Sequence, residues 1–465
     1  MIPIVTPDEM RRIDSEASLS HDELVERAGA AVAGAALRML GGAYGRVVVV
    51  IAGKGSNGSD GRVAAQRLRS RGVQVRVVDA LDCPDDIDAA VRSPISLVID
   101  AAFGTGLRGT WQPPRVRGIP VLAVDLPSGV DALTGEARGG VLTASRTVTF
   151  AALKPGLLIG DGRRLSGEVE VVDADAMGLG DGVRATATAH LVERRDVVSW
   201  LPRRPATDHK WRSAVRVVAG SPGMDGAAQL TCAAALRSGA GMVHASSPTG
   251  RLGSLSAEIV QRDVGGCSDW AAMVLDDIGR FRSLVVGPGV GGDAVVRDSL
   301  GELIRASPIP VVVDGDGLAA LLPARDAPST TGRGAVLATP HDGEFERLAG
   351  HPPGPDRFAA ARSLAARLGC TVLLKGPVTI VADPTGAALA VAEGDQRLAT
   401  AGTGDVLAGI AGALLAQGLD PLRAGAAAAW LHGRAGRTLP PHGMIASDLA
   451  DALPAVWADM DEDGS

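Results

Sequence analysis

Short β-branched runs that pass at once into glycine turns recur along this 465-residue chain, and no other feature limits its fold as much. Arg46 to Ala52 carries a continuous β-branched run after its arginine, which marks a strand buried on both faces. A glycine-rich loop over 53–61 follows, then a helix from Arg62 to Arg71. Val73 to Asp79, Leu97 to Asp100, Val121 to Asp125 and Thr147 to Ala151 read as further strands, and 24–40 as an amphipathic helix. The pattern restarts with Val215 to Ala219, a helix from Gln229 to Ser238, Ser283 to Val286, Val311 to Val313, 336–338 and Cys370 to Lys375. Strand, glycine turn and helix in alternation build a mostly parallel sheet covered by helices. The expected class is α/β, with two three-layer α/β/α domains.

A chain this long exceeds one core, and 176–200 reads as the boundary, a glycine- and alanine-rich linker between domains 1–185 and 190–460. The acidic tail from Asp459 reads as frayed. A net charge of -7 gives no footprint for nucleic acid, and no apolar run approaches the ~20 residues that span a bilayer. The start of the chain lacks a basic-then-apolar signal pattern. Cys83, Cys232, Cys267 and Cys370 are widely spaced and fit reduced thiols, so a cytoplasmic location is expected. Four lysines stand against 42 arginines, with one asparagine. Such a bias replaces lysine wherever charge alone matters, so Lys54, Asn57, Lys154, Lys210 and Lys375 mark positions where the side chain itself is needed.

The richest segment for chemistry is Thr400 to Gly409, which leads into a helix from Val406 to Gln417. Gly402 and Gly404 free the backbone to aim N–H groups and a helix N-terminus at an anion. Asp405 at that mouth suits taking a proton from an attacking hydroxyl, or else simple helix capping. No Walker A sequence is present, so phosphate in the second domain falls to this turn, with Lys375 as a strand-end cation. His341 reads as a loop histidine. In the first domain Gly53, Gly55 and Gly58 satisfy G-x-G-x-x-G, with Asp79 ending the next strand, a dinucleotide fingerprint. Asp60 sits awkwardly beside a pyrophosphate and suits a cation or acid–base work. Asn57, Asp100 and Ser128 offer hard oxygens from three strand-end loops for a cation, or cap their own turns.

These residues carry a family resemblance. Gly220-Ser221, Gly226-Ala227, Gly287 to Gly291, Thr339 to Glu344, Leu374-Lys375-Gly376 and Ala401 to Gly409 resemble the ribokinase-like NAD(P)H-hydrate dehydratases. The 53–61 loop, Asp100 to Gly106, Asp125 to Gly129 and Lys154-Pro155-Gly156 resemble the Rossmann-like NAD(P)H-hydrate epimerases. Together they follow the order of the fused bifunctional repair enzymes.

The resemblance implies epimerisation of hydrated NADH or NADPH, then dehydration driven by ADP or ATP, giving AMP or ADP and phosphate. It implies Asp405 as base, with Asp60 and Asp125 catalytic in the first domain. Lys375, Gly376, Pro377, Val378, Thr379 and Gly404 would meet the nucleotide. Ser56, Asn57, Gly58, Ser59, Asp60, Gly104, Thr105, Gly106, Leu107, Arg108, Gly109, Thr110 and Asp125 would meet the hydrate in the first domain. Ala227, Gly289, Gly291, His341 and Asp405 would meet it in the second. Asn57, Asp100 and Ser128 would hold potassium, and magnesium would accompany the nucleotide. A homo-oligomer without nucleic-acid or membrane partners is expected. The competing reading is a vitamin-precursor kinase of the same fold with an N-terminal binding module. Lys54, Ser56 and Ser59 depart from the family's Gly-Pro-Gly-Asn-Asn-Gly-Gly-Asp-Gly loop. Asp342 replaces a proline and is expected to favour a protonated His341.

Overall fold

The computed structural model describes residues 1–107, 109–253, 255–265, 268–322 and 334–461. It divides into two compact units, with the boundary in sequence between Ala189 and His190. Among the described residues no helix is long and apolar enough to cross a membrane.

In the first unit β1 (Val47–Ala52), β2 (Gln74–Asp79), β3 (Leu97–Ala101), β4 (Val121–Val124), β5 (Arg146–Ala151) and β6 (Glu168–Asp173) form a six-stranded sheet in the order β2-β1-β3-β4-β5-β6. Every pairing is parallel. Alternation divides β1 between two cores. Val48, Val50 and Ala52 join Val32, Ala36 and Leu68 on one face, and Val49 and Ile51 join Ile87 and Trp111 on the other. The first face carries α1 (Pro7–Glu16), α2 (His21–Leu40) and α3 (Ser56–Ser70). The other is covered by a 3₁₀ turn, Ile87–Ala90, and the loop bearing Trp111. Pro84, Pro94, Pro113 and Pro114 keep those connections from forming long helices.

Two expectations fail in this unit. Helix α3 starts at Ser56, not Arg62, so Asn57, Gly58 and Asp60 occupy its first turns. The Ser-Asn-Gly-Ser-Asp-Gly string has poor helix propensity, and packing overrides it. A side chain on Gly58 would overlap the Gly53 carbonyl, and one on Gly29 would overlap Val63, so glycine lets strand, turn and α2 close on the helix start. The expected linker is also structured. Ala174–Met177 and Gly180–Thr186 are helices that place Met177, Leu179 and Val183 in the first core.

In the second unit β7 (Ala214–Val218), β8 (Met242–Ser246), β9 (Val260–Gln261), β10 (Ser283–Val286), β11 (Val311–Val313), β12 (Val336–Ala338), β13 (Thr371–Leu374), β14 (Thr379–Ala382) and β15 (Ala388–Val391) run in the order β15-β14-β13-β12-β11-β10-β7-β8-β9. All these pairs are parallel except β13 with β14 and β14 with β15. One face packs on α4 (Asp225–Arg237), α6 (Thr403–Ala416) and α7 (Pro421–Thr438), where Val215, Val285 and Leu337 meet Ala411, Leu414 and Ala428. Helix α5 (Asp342–Ala349) begins just beyond the end of β12. Helices α4 and α6 start earlier than expected, at Asp225 and Thr403. The expected frayed tail is helical to Asp461, and residues 462–465 lie outside the described residues.

Gly409 on α6 faces the Thr231 carbonyl of α4, and a Cβ there would overlap it and lie 2.9 Å from Ala234 Cβ. Gly409→Ala is expected to destabilise the second unit by about 3 kcal/mol, since neither helix backbone can yield cheaply. A calorimetric melt would show its transition lowered by roughly 5 °C. An unchanged melt would mean that the two helices do not close this tightly.

Candidate active sites

Both sheets reverse their strand order at one place, and polar residues collect at the strand C-termini there. In the first unit the reversal lies between β1 and β3. Gly53 N–H donates to Ala101 O at 3.0 Å, and Asn57 lies beside Gly104. Asp100, at the end of β3, is completely buried. Its Oδ1 accepts from Ser128 Oγ at 2.6 Å and its Oδ2 from Ser128 N–H at 2.9 Å. Burial raises its pKa, and the Ser128 bonds oppose that only in part. Asn57 is buried too, and its Nδ2 has no partner among the described residues.

A second cluster forms from other elements. Asp125 follows β4 in a left-handed conformation, φ 64°, where a non-glycine residue is strained. Its Oδ1 accepts from Lys154 Nζ at 2.6 Å and from Thr149 Oγ1 at 2.9 Å. Asp60, on the second turn of α3, has its pKa pushed up to about 8, by burial first and then by Asp125 and Asp14. Asp14 arrives on α1 and is itself raised, chiefly by burial. One carboxyl is thus held protonated near neutrality beside another that is bonded to an ammonium. Environments that differ in this way separate an acid from a base.

The expected hydrate loop is only partly gathered here. Gly104 stands beside Asn57, and Ser56 and Ser59 share the first turns of α3 with Asp60, but Thr105, Gly106, Gly109 and Thr110 are exposed. Arg108 and Cys267 lie outside the described residues. Reading the sequence missed Asp14 entirely, because α1 was not recognised. Thr149 gave no signal, and Lys154 was marked by the rarity of lysine and by the Lys154-Pro155-Gly156 resemblance but was given no role.

In the second unit the reversal lies between β7 and β10. Gly220 N–H donates to Pro288 O at 2.8 Å and Ser221 Oγ to Gly289 O at 2.8 Å, which ties the two strand-end loops together. Gly289, φ 61°, comes so near Ala227 that a Cβ would sit 2.8 Å from the alanine's. Gly291 N–H donates to Asp316 at 3.0 Å. Gly402, φ 87°, caps α6, and among the described residues the Gly404 and Asp405 amides of its first turn donate to no backbone carbonyl. They form an open helix N-terminus, the kind of end that suits an anion.

Lys375 follows β13 and donates to Asp314 Oδ1 at 2.8 Å, with Glu344 at 3.5 Å. Burial opposes its charge, yet Asp314 and Glu344 hold its pKa above the usual value. A Cβ on Gly404 would lie 3.4 Å from the Lys375 ammonium, so the lysine faces the turn. The Asp405 pKa is pushed up to about 6, first by burial and then by Asp314, Asp316 and Glu344, while Lys375 pulls it down. Gly376 and Pro377 are exposed, Val378 is buried and Thr379 opens β14.

His341 is not a plain loop residue. It caps α5, its Nδ1 accepting Gly343 N–H at 3.0 Å, and Nε2 is 3.6 Å from Glu344. Asp342, the next residue, is tied to another partner, since both its oxygens accept from Arg357, at 2.9 and 3.0 Å. Asp314, Asp316 and Glu344 were missed as site residues, although each stands in a turn that the sequence marks by its glycines. His432 was missed because it is inside α7. Its Nε2 has no partner among the described residues, and burial pushes its pKa down to about 4, with Lys375 adding to the shift.

Two α/β units, each with ionisable groups gathered at the C-terminal ends of its strands, make this a two-site enzyme chain. The family model described as NAD(P)H-hydrate dehydratase matches residues 215–455, and that of the YjeF-related protein N-terminus matches 21–92 and 78–156. The chain is 35% identical to the bifunctional NAD(P)H-hydrate repair enzyme Nnr of Moorella thermoacetica, over 99% of this chain and 97% of that one. It is 31% identical to the Escherichia coli protein of the same name, over 97% and 93%. A crystal structure of the ADP/ATP-dependent NAD(P)H-hydrate dehydratase of Bacillus subtilis, co-crystallised with ATP and magnesium, matches with 29% identity and a TM-score of 0.51. That match covers 58% of this chain and 97% of the other. The chain belongs to the family of bifunctional NAD(P)H-hydrate repair enzymes.

Proposed function

We propose that the first unit interconverts the R and S hydrates of NADH and NADPH and that the second restores the S hydrate to the reduced cofactor. The observation that carries this reading is the turn at Gly402 to Asp405: open amides beside a carboxylate whose pKa is pushed up to about 6. Asp405 takes the proton of the hydrate's hydroxyl as that oxygen attacks the terminal phosphorus of ADP or ATP. The Gly404 and Asp405 amides receive the moving phosphoryl group. AMP or ADP departs. Phosphate, a far better leaving group than hydroxide, then leaves the ring with its bonding electrons, and the adjacent carbon gives up a proton. The ring double bond is restored, and the products are reduced cofactor, phosphate and the shortened nucleotide.

Lys375 to Thr379 line the nucleotide side, with Ala227, Gly289, Gly291 and His341 towards the hydrate. Magnesium would accompany the nucleotide's phosphates. Among the described residues no three His, Cys, Asp or Glu side chains are grouped to hold a metal alone.

In the first unit the hydroxyl-bearing carbon is bonded to the ring nitrogen. Asp60 gives its proton to the departing hydroxyl, the nitrogen lone pair supports the flat cation, and water returns to the other face with Asp125 taking its proton. Asn57, Asp100 and Ser128 fit a potassium ion, since Asp100 is a buried carboxylate with no cationic side chain in ion-pair reach among the described residues. Bound there, it would supply the missing positive charge and brace the strand-end loops.

The test is a mixture of R and S hydrates with ADP, magnesium and potassium. Full recovery of reduced-nicotinamide absorbance with release of phosphate supports the reading. A phosphorylated hydrate that accumulates would support a kinase instead. Lys375→Met is expected to raise the KM for ADP about tenfold, the loss of one charge-assisted contact. It should also move the acid limb of the rate profile to higher pH, because Lys375 lowers the Asp405 pKa. An unmoved limb would separate Lys375 from Asp405.

A further inference from the structure

Resting on the epimerase reading of the first unit, we propose that Lys154 is a positioning residue for epimerisation, holding Asp125 by one oxygen so that the other is left for the hydrate. Lys154 is one of four lysines in an arginine-rich chain and is 2% exposed. Its ammonium donates to Asp125 Oδ1 at 2.6 Å, Thr149 Oγ1 at 2.9 Å and Phe150 O at 3.2 Å. Those three acceptors use all three of its protons. Thr149 Oγ1 in turn donates to the same Oδ1 at 2.9 Å, so both donors meet one oxygen. Among the described residues nothing bonds Oδ2, and the carboxylate is 17% exposed.

The backbone supports this aim. Among the described residues, Asp125 and Ala151 are the non-glycine residues with positive φ, 64° and 62°, and they follow β4 and end the neighbouring strand β5. Strain at two adjacent strand ends has to be held by the surrounding contacts, and the Lys154 bonds join them, since Thr149, Phe150 and Lys154 flank Ala151. Arginine cannot take this place. Its planar fork needs acceptors spread in one plane, whereas these three surround a point charge. The lysine also balances charge where Asp14 on α1 and Asp60 on α3 both approach Asp125.

The full chain provides its own control, because consumption of pure S hydrate with ADP requires only the second unit. Uncatalysed interconversion of the hydrates is subtracted. Lys154→Met is expected to lower kcat for R-hydrate consumption about 100-fold, with KM for the hydrate nearly unchanged and S-hydrate consumption intact. Lys154→Arg should fall as far. Lys154→Ala should recover at least about tenfold when methylammonium or ethylammonium is added, and not with tetramethylammonium, which has no N–H donor. A Met variant that epimerises at the wild-type rate overturns the proposal. So does a loss that small primary ammonium ions fail to recover, or that tetramethylammonium recovers equally, since either outcome makes Lys154 a packing residue. A wild-type chain that never consumes R hydrate faster than the uncatalysed rate would instead remove the epimerase reading on which the proposal rests.

Discussion

Asp405→Asn should reduce ADP-dependent dehydration about 1,000-fold, a loss of about 4 kcal/mol in transition-state stabilisation. Asparagine keeps the shape and the open amides of the turn but cannot accept the hydroxyl proton. ADP should bind nearly as before, because the Gly404 and Asp405 amides belong to the backbone. The wild-type rate should fall as pH drops through about 6, since a base acts only when ionised and burial holds Asp405 that high. Stopped assays of phosphate release across the pH range check both statements. If Asp405→Asn keeps a tenth of the wild-type rate, the proton goes elsewhere.

The second large effect is expected at Asp60. Asp60→Asn should lower R-hydrate consumption about 100-fold while S-hydrate consumption continues, because the two units carry separate sites. The direction of the pH dependence is opposite to that of Asp405. An acid acts only when protonated, so epimerisation should fall as pH rises through about 8. The opposed limbs separate the two reactions within one preparation. An epimerisation rate that rises through that range would reverse the roles of Asp60 and Asp125.

What could be read from sequence followed the strength of each local signal. The strands named from sequence were placed to within a residue or so, because burial on both faces leaves a continuous apolar run, as in Val47 to Ala52, while Glu168–Asp173, Met242–Ser246, Val260–Gln261, Thr379–Ala382 and Ala388–Val391 were missed. Helix starts were not. Asn57 and Asp60 lie in a string of serine and glycine that favours turns, and the helix exists because glycines at 29, 53 and 58 allow backbone and side chains to close on it. The segment 174–186 misled for a related reason: its glycines look like a linker, while Met177, Leu179 and Val183 anchor it in the core.

Of the sites, the turn at 402–405 was visible because an anion site built from backbone leaves glycines in the sequence. Its partners were less so. Asp314 and Glu344 reach Lys375 from positions 61 and 31 residues away in sequence, a proximity that only the sheet order creates. Asp14 had no sequence signal at all, since a single carboxylate on an exposed-looking helix resembles any surface residue. Family resemblance supplied roles that spacing alone left open, among them the cation set at Asn57, Asp100 and Ser128.

The boundary between Ala189 and His190 has a consequence for supply. Each translation of this chain yields one unit of each kind, so the two activities are made in a fixed one-to-one ratio. No change in expression can leave an excess of one over the other. At a given supply of hydrate and nucleotide, the balance between producing the S hydrate and removing it therefore follows the kinetic constants of the two units and not their relative amounts. A substitution that slows either unit shifts that balance in every molecule at once.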